Sequence, residues 1–467
     1  SDVSKTWHKH NMAFLERNAN RGSISTGYDV DNSLKFEPDN SEYLKSNNTH
    51  AGTSPTSNQK GTVSFWIKRT EIGNNVSGKQ MYIFASANSA RYSNLGFDEF
   101  DNLTVYSGDS SWNSVSPYTL NKFRDTAAWY HIVIRYDTTD STASNRLRVY
   151  ANGTEVSWAV APNITQNGAM TYGDLGGPTW HSWGTVYSYH SPAKFFGGYL
   201  AEAHFVDGQS LAPTEFAEYD TSGIWKPKAY TGTYGNAGYY LDFADSGNLG
   251  DDESGNGFDF DENNIAAADQ ATDTPTNNFA TWQTNIKYNP SVSADFSFSE
   301  GGTSPKRNSG DVHVYCVSTI AMSSGKWYME YKIRNGGDYV YFGGTPITKF
   351  ASENHNGYYL GQDGGGSIGY GVADGNIYYW TGANGQFTET NSTGDIIGIA
   401  LDKDNDKIAF SKNGTYMQGS NGTRSDPTTP STMHEVQAPP YFWAMGAYSG
   451  NVEYQTNMGG FTDMSIS

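Results

Sequence analysis

The sequence predicts an all-β protein built of antiparallel β-sandwiches, and three observations lead to this fold class. Aromatic residues make up 15% of the 467 residues and there are 52 glycines, whereas all hydrophobic residues together reach only 36%. Aromatic and β-branched residues favour strands, and glycine and asparagine favour turns. Many short segments alternate apolar and polar residues without helical periods between them, which is typical of antiparallel sandwiches. At this length we expect two or three domains.

The first predicted sandwich comprises residues 28–244, and its strands are visible as alternating segments. "GTVSFWIKR" places Val63, Phe65 and Ile67 on one face. "WYHIVIRYD" follows the same rule. "NRLRVYANGTEV" reads as a hairpin, because its Asn-Gly pair supplies the positive φ angles of a tight turn. "FFGGYLAEAHFVDGQSL" predicts a further strand that ends at an Asp-Gly turn.

The rest of the chain divides into a connection and a second sandwich. Residues 245–294 are acidic and rich in Gly, Asn and Asp, so we predict a connection between the domains there. Residues 295–467 form the second predicted sandwich, with strand patterns in "GKWYMEYKI", "GNIYYWTG" and "GDIIGIALDKDNDKIAFSKNG".

The last of these segments carries Asp402, Asp404 and Asp406 at alternate positions, as the start of a calcium loop would. A helix-loop-helix calcium site needs Gly at the sixth position and Glu at the twelfth, where this chain has Lys407 and Asn413. Alternating apolar residues flank the acidic tip on both sides. We therefore predict a hairpin turn, with an incidental surface cation as the alternative.

Charge and cysteine content limit the partners of the chain. The formal net charge is −19, which would repel a phosphate backbone or an anionic membrane, so we expect neither nucleic acid nor membrane as a partner. Cys316 is the only cysteine, which excludes an internal disulfide and a thiolate metal cluster within one chain. Its alternating context, "DVHVYCVSTI", predicts a small buried side chain.

Residues 1–27 are predicted to form a short N-terminal anchor peptide. They include the amphipathic run "WHKHNMAFLERN". On a helix, Trp7, Met12, Phe14 and Leu15 would share one side. A terminal peptide with exposed apolar groups docks either on its own domain or on a partner, and both alternatives stay open.

The first block resembles the laminin-G-like, or concanavalin A-like, jelly roll, in the version found in proteins of tailed bacteriophages. The segments that carry the resemblance include "YDVDNSLKFEPDNSEYLK", "VSFWIKRTEIG" and "VDGQSLAPTEFAEYDTSGIWKPK". The second block resembles a SPRY domain, itself a concanavalin-like sandwich, through "GKWYMEYKI", the acidic hairpin and "YFWAMGAYSGNVEYQTNMGGF". The resemblance therefore implies two concanavalin A-like antiparallel β-sandwiches in tandem.

The same resemblance implies a bacteriophage virion protein on the particle surface, a tail or head fibre or a spike, made in the host cytoplasm. Attachment to the host surface through a glycan is the function we expect, and decoration of the capsid or tail is the alternative. The N-terminal peptide would join other virion proteins. Because phage fibres are commonly trimeric, we expect a homo-oligomer and favour a trimer.

A polysaccharide-degrading enzyme is the second alternative, and the sequence argues against it. Laminarinase-like members of this fold carry their carboxylates on one strand as E-x-D-x-x-E, so that alternate side chains reach one face. The candidate at Glu99 and Asp101 ends in Thr104, and the one at Glu218 ends in Gly223. No G-x-S-x-G, H-E-x-x-H or P-loop motif is present either. We therefore predict a protein without catalytic activity.

Two aromatic segments, which we interpret as loops, are candidate glycan sites, because a ring face in a loop can stack on a sugar. They are "TYGDLGGPTWHSWGTVYSYHSP" and "GNIYYWTGANGQF". The candidate residues are Trp180, His181, Trp183, Tyr187, Tyr379 and Trp380. As an alternative, these rings cover a sandwich edge or a subunit interface, or lie in the core.

Calcium is the one cofactor that the sequence suggests. Asp251, Asp252, Asp259 and Asp261 lie close together in the acidic stretch, and carboxylate oxygens are the ligands that calcium prefers. The alternative is a solvated connection without a bound ion.

Overall fold

The structure is a computed structural model that describes residues 27–46, 53–73, 75–87, 92–107, 117–173, 179–188, 191–283, 296–307, 313–336, 339–350, 360–361, 366–379, 382–387, 390–418, 426–448 and 450–459. The described residues form two compact units, one that ends at Asn278 and one that begins at Phe279. We call them the first and the second unit. The predicted all-β fold class is confirmed, since strands and turns build both units.

Two eight-stranded sheets form the first unit as the structure describes it. Its strands are β1 Ser33–Phe36, β2 Tyr43–Ser46, β3 Lys60–Arg69, β4 Met81–Ala87, β5 Tyr92–Phe97, β6 Asn102–Ser107, β7 Tyr118–Lys122, β8 Trp129–Asp137, β9 Leu147–Ala151, β10 Thr154–Glu155, β11 Trp158–Val160, β12 Trp180–Trp183, β13 Val186–Ser188, β14 Ser191–Ala193, β15 Gly198–Asp207, β16 Ala217–Tyr219, β17 Trp225–Pro227, β18 Tyr239–Leu241, β19 Phe260–Asn263 and β20 Gln270–Ala271. Short 3-10 turns lie at Pro38–Asn40, Ala143–Asn145, Thr171–Gly173, Pro213–Glu215 and Ala267–Asp269.

Sheet A has the strand order β10-β9-β8-β3-β15-β1-β20, with β18 paired to β15, and sheet B has the order β11-β7-β6-β5-β4-β12-β2-β19. Hairpins β13–β14 and β16–β17 are separate two-stranded sheets. All pairings are antiparallel, as in the predicted sandwich. The predicted Asn-Gly turn is confirmed between β9 and β10, where Asn152 and Gly153 have φ angles of 47° and 77°.

Alternate residues of the two sheets meet in one apolar core. Phe65, Ile134 and Phe205 come from sheet A, and Leu95 and Trp183 come from sheet B, all with at most 1% of their surface exposed. Each such side chain contributes about 1.5–3 kcal/mol when it leaves water. The apolar alternation that predicted these strands therefore also predicted the inner faces of the sandwich.

The part of the predicted connection that the structure describes, residues 245–283, belongs to the two units, and residues 284–294 lie outside the described residues. Strand β19 pairs with β2, and β20 pairs with β1, so both extend the sheets of the first unit. Residues 279–283 already belong to the second unit, where Trp282 is fully buried and donates its Nε1–H to Thr456 Oγ1 at 2.9 Å. The Gly- and Asp-rich composition reflects turns between short edge strands rather than a linker.

The second unit is also a sandwich, with an eight-stranded and a six-stranded sheet among the described residues. Its strands are β21 Ser297–Ser299, β22 Ser304–Arg307, β23 Val314–Val317, β24 Lys326–Asn335, β25 Val340–Pro346, β26 Ile368–Gly371, β27 Asn376–Tyr379, β28 Gly382–Gln386, β29 Ile396–Asp402, β30 Lys407–Lys412, β31 Thr415–Tyr416, β32 His434–Glu435, β33 Tyr441–Ala447 and β34 Val452–Asn457. One short helix, α1 Ile347–Phe350, follows β25, and a 3-10 turn lies at Pro430–Thr432.

Sheet C has the order β21-β22-β34-β24-β29-β30-β31, with β32 paired to β30, and sheet D has the order β23-β33-β25-β26-β27-β28. Rings from both sheets fill the core: Tyr331 of sheet C stacks on Phe342 of sheet D with a centroid distance of 3.7 Å. Cys316 is buried in this core as predicted, and burial raises the pKa of its thiol.

Candidate functional site

Strand β12 separates the candidates of the first aromatic segment onto two faces of sheet B. Successive side chains of a strand point to opposite sides. His181 and Trp183 point into the sandwich and have no exposed surface, whereas Trp180 points outward and is half-buried. The sequence interpretation treated these residues as a loop and grouped them together, so it did not apply this alternation.

The prediction that His181 and Trp183 bind a glycan is wrong, because neither side chain reaches the surface. His181 lies between Phe84 and Phe205, with ring centroids at 5.0 and 4.9 Å. Its Nε2–H donates to the Tyr172 carbonyl at 3.0 Å, and its Nδ1 accepts from Tyr239 Oη at 3.2 Å. Burial lowers the pKa of His181 to about 3, so the imidazole is neutral and structural.

The outer face of sheet B carries a set of rings that we call the aromatic face. These rings stand at outward positions, and each is next to a buried residue of its own strand. The members are Tyr43, Tyr82, Tyr92, Tyr106, Tyr118 and Trp180. Tyr118 is 37% exposed and the others are half-buried, so each of these side chains retains some solvent-accessible surface.

The register of the strands arranges these rings in rows across the sheet. Trp180 is opposite Ala87, which is opposite Tyr92, so two strand spacings, about 10 Å, separate the backbones of the two aromatic residues. Tyr92 stacks on Tyr106 of the next strand, with centroids 5.1 Å apart. Small residues, Ala85 and Ala87, lie between the rings and are buried. The rows run perpendicular to the strands.

Polar groups lie among the rings of the aromatic face. The ammonium of Lys45 lies 5.3 Å from the ring centre of Trp180. Asn94 is opposite Tyr106, and Asp261 is opposite Lys45. Apolar rings with a few fixed polar groups are the usual composition of a small-molecule site. Chemically, this face can stack on the apolar face of a ring-shaped ligand and hydrogen-bond its edge.

The remaining glycan candidates lie partly outside the described residues. Tyr187 belongs to β13 and Tyr379 to β27, but their side chains are not described, and Trp380 lies outside the described residues. The neighbouring Tyr378 packs edge-on against Tyr341 at 5.1 Å. The anchor candidates Trp7, Met12, Phe14 and Leu15 also lie outside the described residues.

Two of the predicted calcium ligands, Asp252 and Asp259, accept hydrogen bonds from backbone N–H groups of the acidic stretch and its neighbours. The Asp252 carboxylate accepts from the backbone N–H groups of Tyr240, Ser254 and Phe258 at 2.8–2.9 Å. Asp259 accepts from the backbone of Asp252 at 3.2 Å. The described residues contain no group of three or more His, Cys, Asp or Glu that could hold a metal ion. The structure therefore does not bring Asp251, Asp252, Asp259 and Asp261 together as a ligand set.

The acidic segment after β29 is a hairpin turn, as predicted, and a lysine holds its centre. Lys403 has a fully buried side chain whose Nζ donates to the Asp406 carboxylate and to the carbonyls of Gln437 and Ala438. One carboxylate and two carbonyls are oxygen ligands that a calcium ion would also use. The ammonium group of Lys403 therefore already lies between the oxygen atoms that a bound calcium ion would need.

Sequence reasoning missed most of the aromatic face. Tyr43, Tyr82, Tyr92 and Tyr106 belong to the strands "YLKS", "MYIFASA", "YSNLGF" and "NLTVYS". In each strand the tyrosine alternates with core residues, which is a readable signal of an outward ring. What the sequence alone does not supply is the order β6-β5-β4-β12-β2, which brings these rings together.

Two models of known protein families match parts of the chain. Residues 38–209 match the family described as the concanavalin A-like lectin/glucanases superfamily, and residues 326–460 match the SPRY domain. The two domain resemblances predicted from the sequence are therefore confirmed. No sequence among the curated proteins matches the chain at the significance threshold. No helix among the described residues is long and apolar enough to cross a membrane.

Solved structures resemble parts of the chain. The SPRY domain of human HERC1 is 20% identical, with 34% of this chain and 89% of that chain covered and a TM-score of 0.27. A heptameric SAP-like pentraxin from Limulus polyphemus is 16% identical, with 40% and 81% covered and a TM-score of 0.28. A candidate carbohydrate-binding protein from Bacteroides ovatus is 14% identical, with 50% and 59% covered and a TM-score of 0.33.

Proposed function

We propose that the chain is a non-enzymatic glycan-binding protein of the bacteriophage surface and that the aromatic face of the first unit is its binding site. The observation that carries this proposal is the row formed by Trp180, Tyr92 and Tyr106 on one outer sheet face. Tyrosine and tryptophan combine a large apolar ring with a polar tip, which suits a ligand with apolar ring faces and hydroxyl edges. Lys45, which lies beside the Trp180 ring, supplies a polar contact for such hydroxyls.

The geometry favours an extended ligand. The rings lie on separate strands and follow a line across the sheet, so a chain of several sugars can contact more than one of them. Every additional stacked sugar adds contact area without new backbone structure in the protein. We therefore propose a polysaccharide or long oligosaccharide rather than a single terminal sugar.

Binding without cleavage is part of the proposal. It rests on the missing second Glu in both E-x-D candidates, since neither segment carries the E-x-D-x-x-E carboxylates of laminarinase-like glycosidases. Reducing-end assays with the purified chain and the bound glycan test it. We expect no release of reducing ends, and measurable turnover would contradict the proposal.

The location on a virion rests on the resemblance of the first block to proteins of tailed bacteriophages. In this proposal the chain is made in the host cytoplasm, forms a homo-oligomer, with a trimer favoured, and joins other virion proteins through residues 1–27. Deletion of residues 1–27 should abolish incorporation into particles while both units stay folded. Particles that still carry the shortened chain would contradict the anchor.

A glycan array with the full chain tests the binding site. We expect binding to a subset of glycans and a loss of at least about tenfold in affinity for Trp180→Ala and Tyr92→Ala. Tyr219→Ala is the matched control, because Tyr219 is 57% exposed on β16, outside sheet B. If the affinity is unchanged in both Trp180→Ala and Tyr92→Ala, the binding site lies elsewhere on the chain.

Decoration of the capsid or tail is the alternative, and one observation favours it. Tyr219 and Ile224 flank the turn of the β16–β17 hairpin and are 57% and 38% exposed. Exposed apolar side chains of this kind suit a protein interface. Under this alternative no glycan binds, and Tyr219→Ala rather than Trp180→Ala weakens attachment to purified particles.

A further inference from the structure

Lys68 lies near the end of β3 and contacts both a carboxyl and an amide side chain. Its Nζ is 2.7 Å from Asp273 Oδ2 and 2.8 Å from Asn278 Oδ1. Trp129 donates its Nε1–H to the other carboxylate oxygen of Asp273 at 2.9 Å. An amine, an amide and a carboxyl group thus meet at one point on the outer side of sheet A.

The amine and the carboxyl group lie in an apolar, water-poor environment. The Lys68 side chain has no exposed surface, and that of Asp273 is 2% exposed. The cross-strand neighbours of Lys68 are Trp129 on one side and Tyr199 on the other. Burial lowers the pKa of Lys68, although the charge of Asp273 opposes this shift. A low-dielectric environment favours a neutral amine beside a neutral carboxylic acid over a separated ion pair.

The amide of Asn278 is held in one orientation. Its Oδ1 accepts from Lys68, and its Nδ2 donates to the carbonyl of Ala127 at 2.8 Å. Because a carbonyl bond is about 1.2 Å long, the amide carbon lies no more than about 4 Å from Lys68 Nζ. Reacting atoms in near-attack geometry are about 3–3.5 Å apart, so a small side-chain movement brings the amine into range.

We propose that Lys68 and Asn278 form an intramolecular isopeptide bond, with Asp273 as the catalytic acid–base. The amine lone pair of Lys68 attacks the side-chain amide carbon of Asn278 and forms a new C–N bond. Asp273 takes a proton from Lys68 Nζ and delivers a proton to Asn278 Nδ2, the bond from the amide carbon to Nδ2 breaks, and ammonia leaves.

The reaction is balanced without an oxidant or a cofactor. One primary amine and one primary amide give one secondary amide and ammonia, and the extra proton, which Asp273 holds while the Lys68 amine is neutral, leaves with the ammonia as ammonium. Trp129 is a positioning residue, because its Nε1–H donates to Oδ1 of the Asp273 carboxylate. It keeps Oδ2 of that carboxylate directed at the amine.

The bond would close the first unit covalently. Lys68 and Asn278 are 210 positions apart, and Asn278 is the last residue of the first unit. A pull on the chain from the second unit would then enter the first unit at β3, in the interior of sheet A, instead of peeling away the segment 272–278. A surface protein that carries load would keep its first unit folded in this way.

Mass spectrometry of the purified full chain tests the proposal. Under denaturing conditions we expect the intact mass to fall below the sequence mass by one ammonia. Peptide mapping should then find a linked peptide that contains both Lys68 and Asn278. An unchanged mass without a linked peptide would overturn the proposal, as would an ammonia loss confined to Asn278 without a link to Lys68.

Four variants assign the roles. Lys68→Arg removes the nucleophile, Asn278→Ala removes the amide and Asp273→Asn removes the acid–base, so all three should keep the full sequence mass. Asn277→Ala is the matched control, because the Asn277 amide donates to Thr272 and not toward Lys68, and it should retain the ammonia loss. A linked peptide in Asp273→Asn would overturn the catalytic role of Asp273. If the variants fail to fold, the linked peptide of the unmodified chain still decides.

Discussion

Two buried lysines, one in each unit, are held in different ways. Lys68 of the first unit contacts Asp273 and Asn278, which are 205 and 210 positions away in sequence. Lys403 of the second unit contacts Asp406, three positions away, and two backbone carbonyls. The side-chain amide of Asn278 can react with an amine, whereas the backbone carbonyls around Lys403 only accept hydrogen bonds. The first lysine therefore connects segments that are distant in sequence, and the second stabilises a turn.

The largest effect should come from the removal of the long-range partner. Asp273→Ala leaves the buried Lys68 amine without its carboxyl group, which should destabilise the first unit by about 3–5 kcal/mol. Urea unfolding of the full chain, with hydrogen exchange at β3 as the readout for the first unit, measures this loss of stability. Glu218→Ala is the control, because the Glu218–Lys226 pair is a surface salt bridge at 3.5 Å and should change stability by less than about 1 kcal/mol. Equal effects of the two substitutions would remove the distinction between Lys68 and an ordinary ion pair.

A smaller effect is expected at the local lysine. Lys403→Met removes the donor for Asp406 and for two carbonyls, and we expect a loss of about 1–3 kcal/mol in the second unit. Thermal unfolding of the full chain measures it. Addition of calcium to the unmodified chain should not raise the unfolding temperature. A calcium-dependent rise that disappears in Asp406→Ala would show that the hairpin binds the ion.

A third buried lysine, Lys35, lies beside a carboxyl group, Glu42, that should make the stability of the first unit depend on pH. Lys35 pairs with Asp269 at 3.0 Å, and the carboxyl of Glu42 lies close to this pair. Burial, together with the charge of Asp269, raises the pKa of Glu42 to about 7. The folded state holds the Glu42 proton more tightly than the unfolded chain does. The contribution of Glu42 to the free energy of unfolding is therefore fully present below about pH 4.5 and is lost as pH rises through 7.

Glu42→Gln should remove most of that fall, which we expect to be on the order of 1–3 kcal/mol. Urea unfolding at pH 5 and pH 8 measures the difference in each protein. Glu155→Gln is the control, because Glu155 is exposed on β10. If Glu42→Gln and the unmodified chain lose the same stability between the two pH values, Glu42 is not the titrating group.

The smallest stability effect belongs to a half-buried lysine on the aromatic face. Lys45 lies over the Trp180 ring, an interaction worth about 0.5–1 kcal/mol at exposed sites. Trp180→Ala should therefore change the stability of the first unit by about 1 kcal/mol or less. Trp183→Ala, which empties a core position, is the control that should destabilise it strongly. Similar losses for both would mean that Trp180 is a core residue and not a binding residue.

The sequence predicted the parts of the structure that depend on local patterns and missed the parts that depend on contacts between distant segments. Alternation predicted β3, β8 and the hairpin of β29 and β30, because these strands carry their own pattern of buried residues. It did not predict β19 and β20, whose few residues become strands only through pairing with β2 and β1. It also misassigned His181, since one aromatic segment was grouped as a loop. The contacts of Lys68 join positions that no local pattern links.

Oxidative footprinting of the full chain with a bound glycan tests the binding site most directly. The proposal predicts that a glycan selected on the array protects Trp180, Tyr92 and Tyr106 from oxidation, while the exposed Tyr219 reacts as in the free chain. Unchanged oxidation of these three rings at saturating glycan, or protection of Tyr219 alone, would contradict the assignment of the aromatic face.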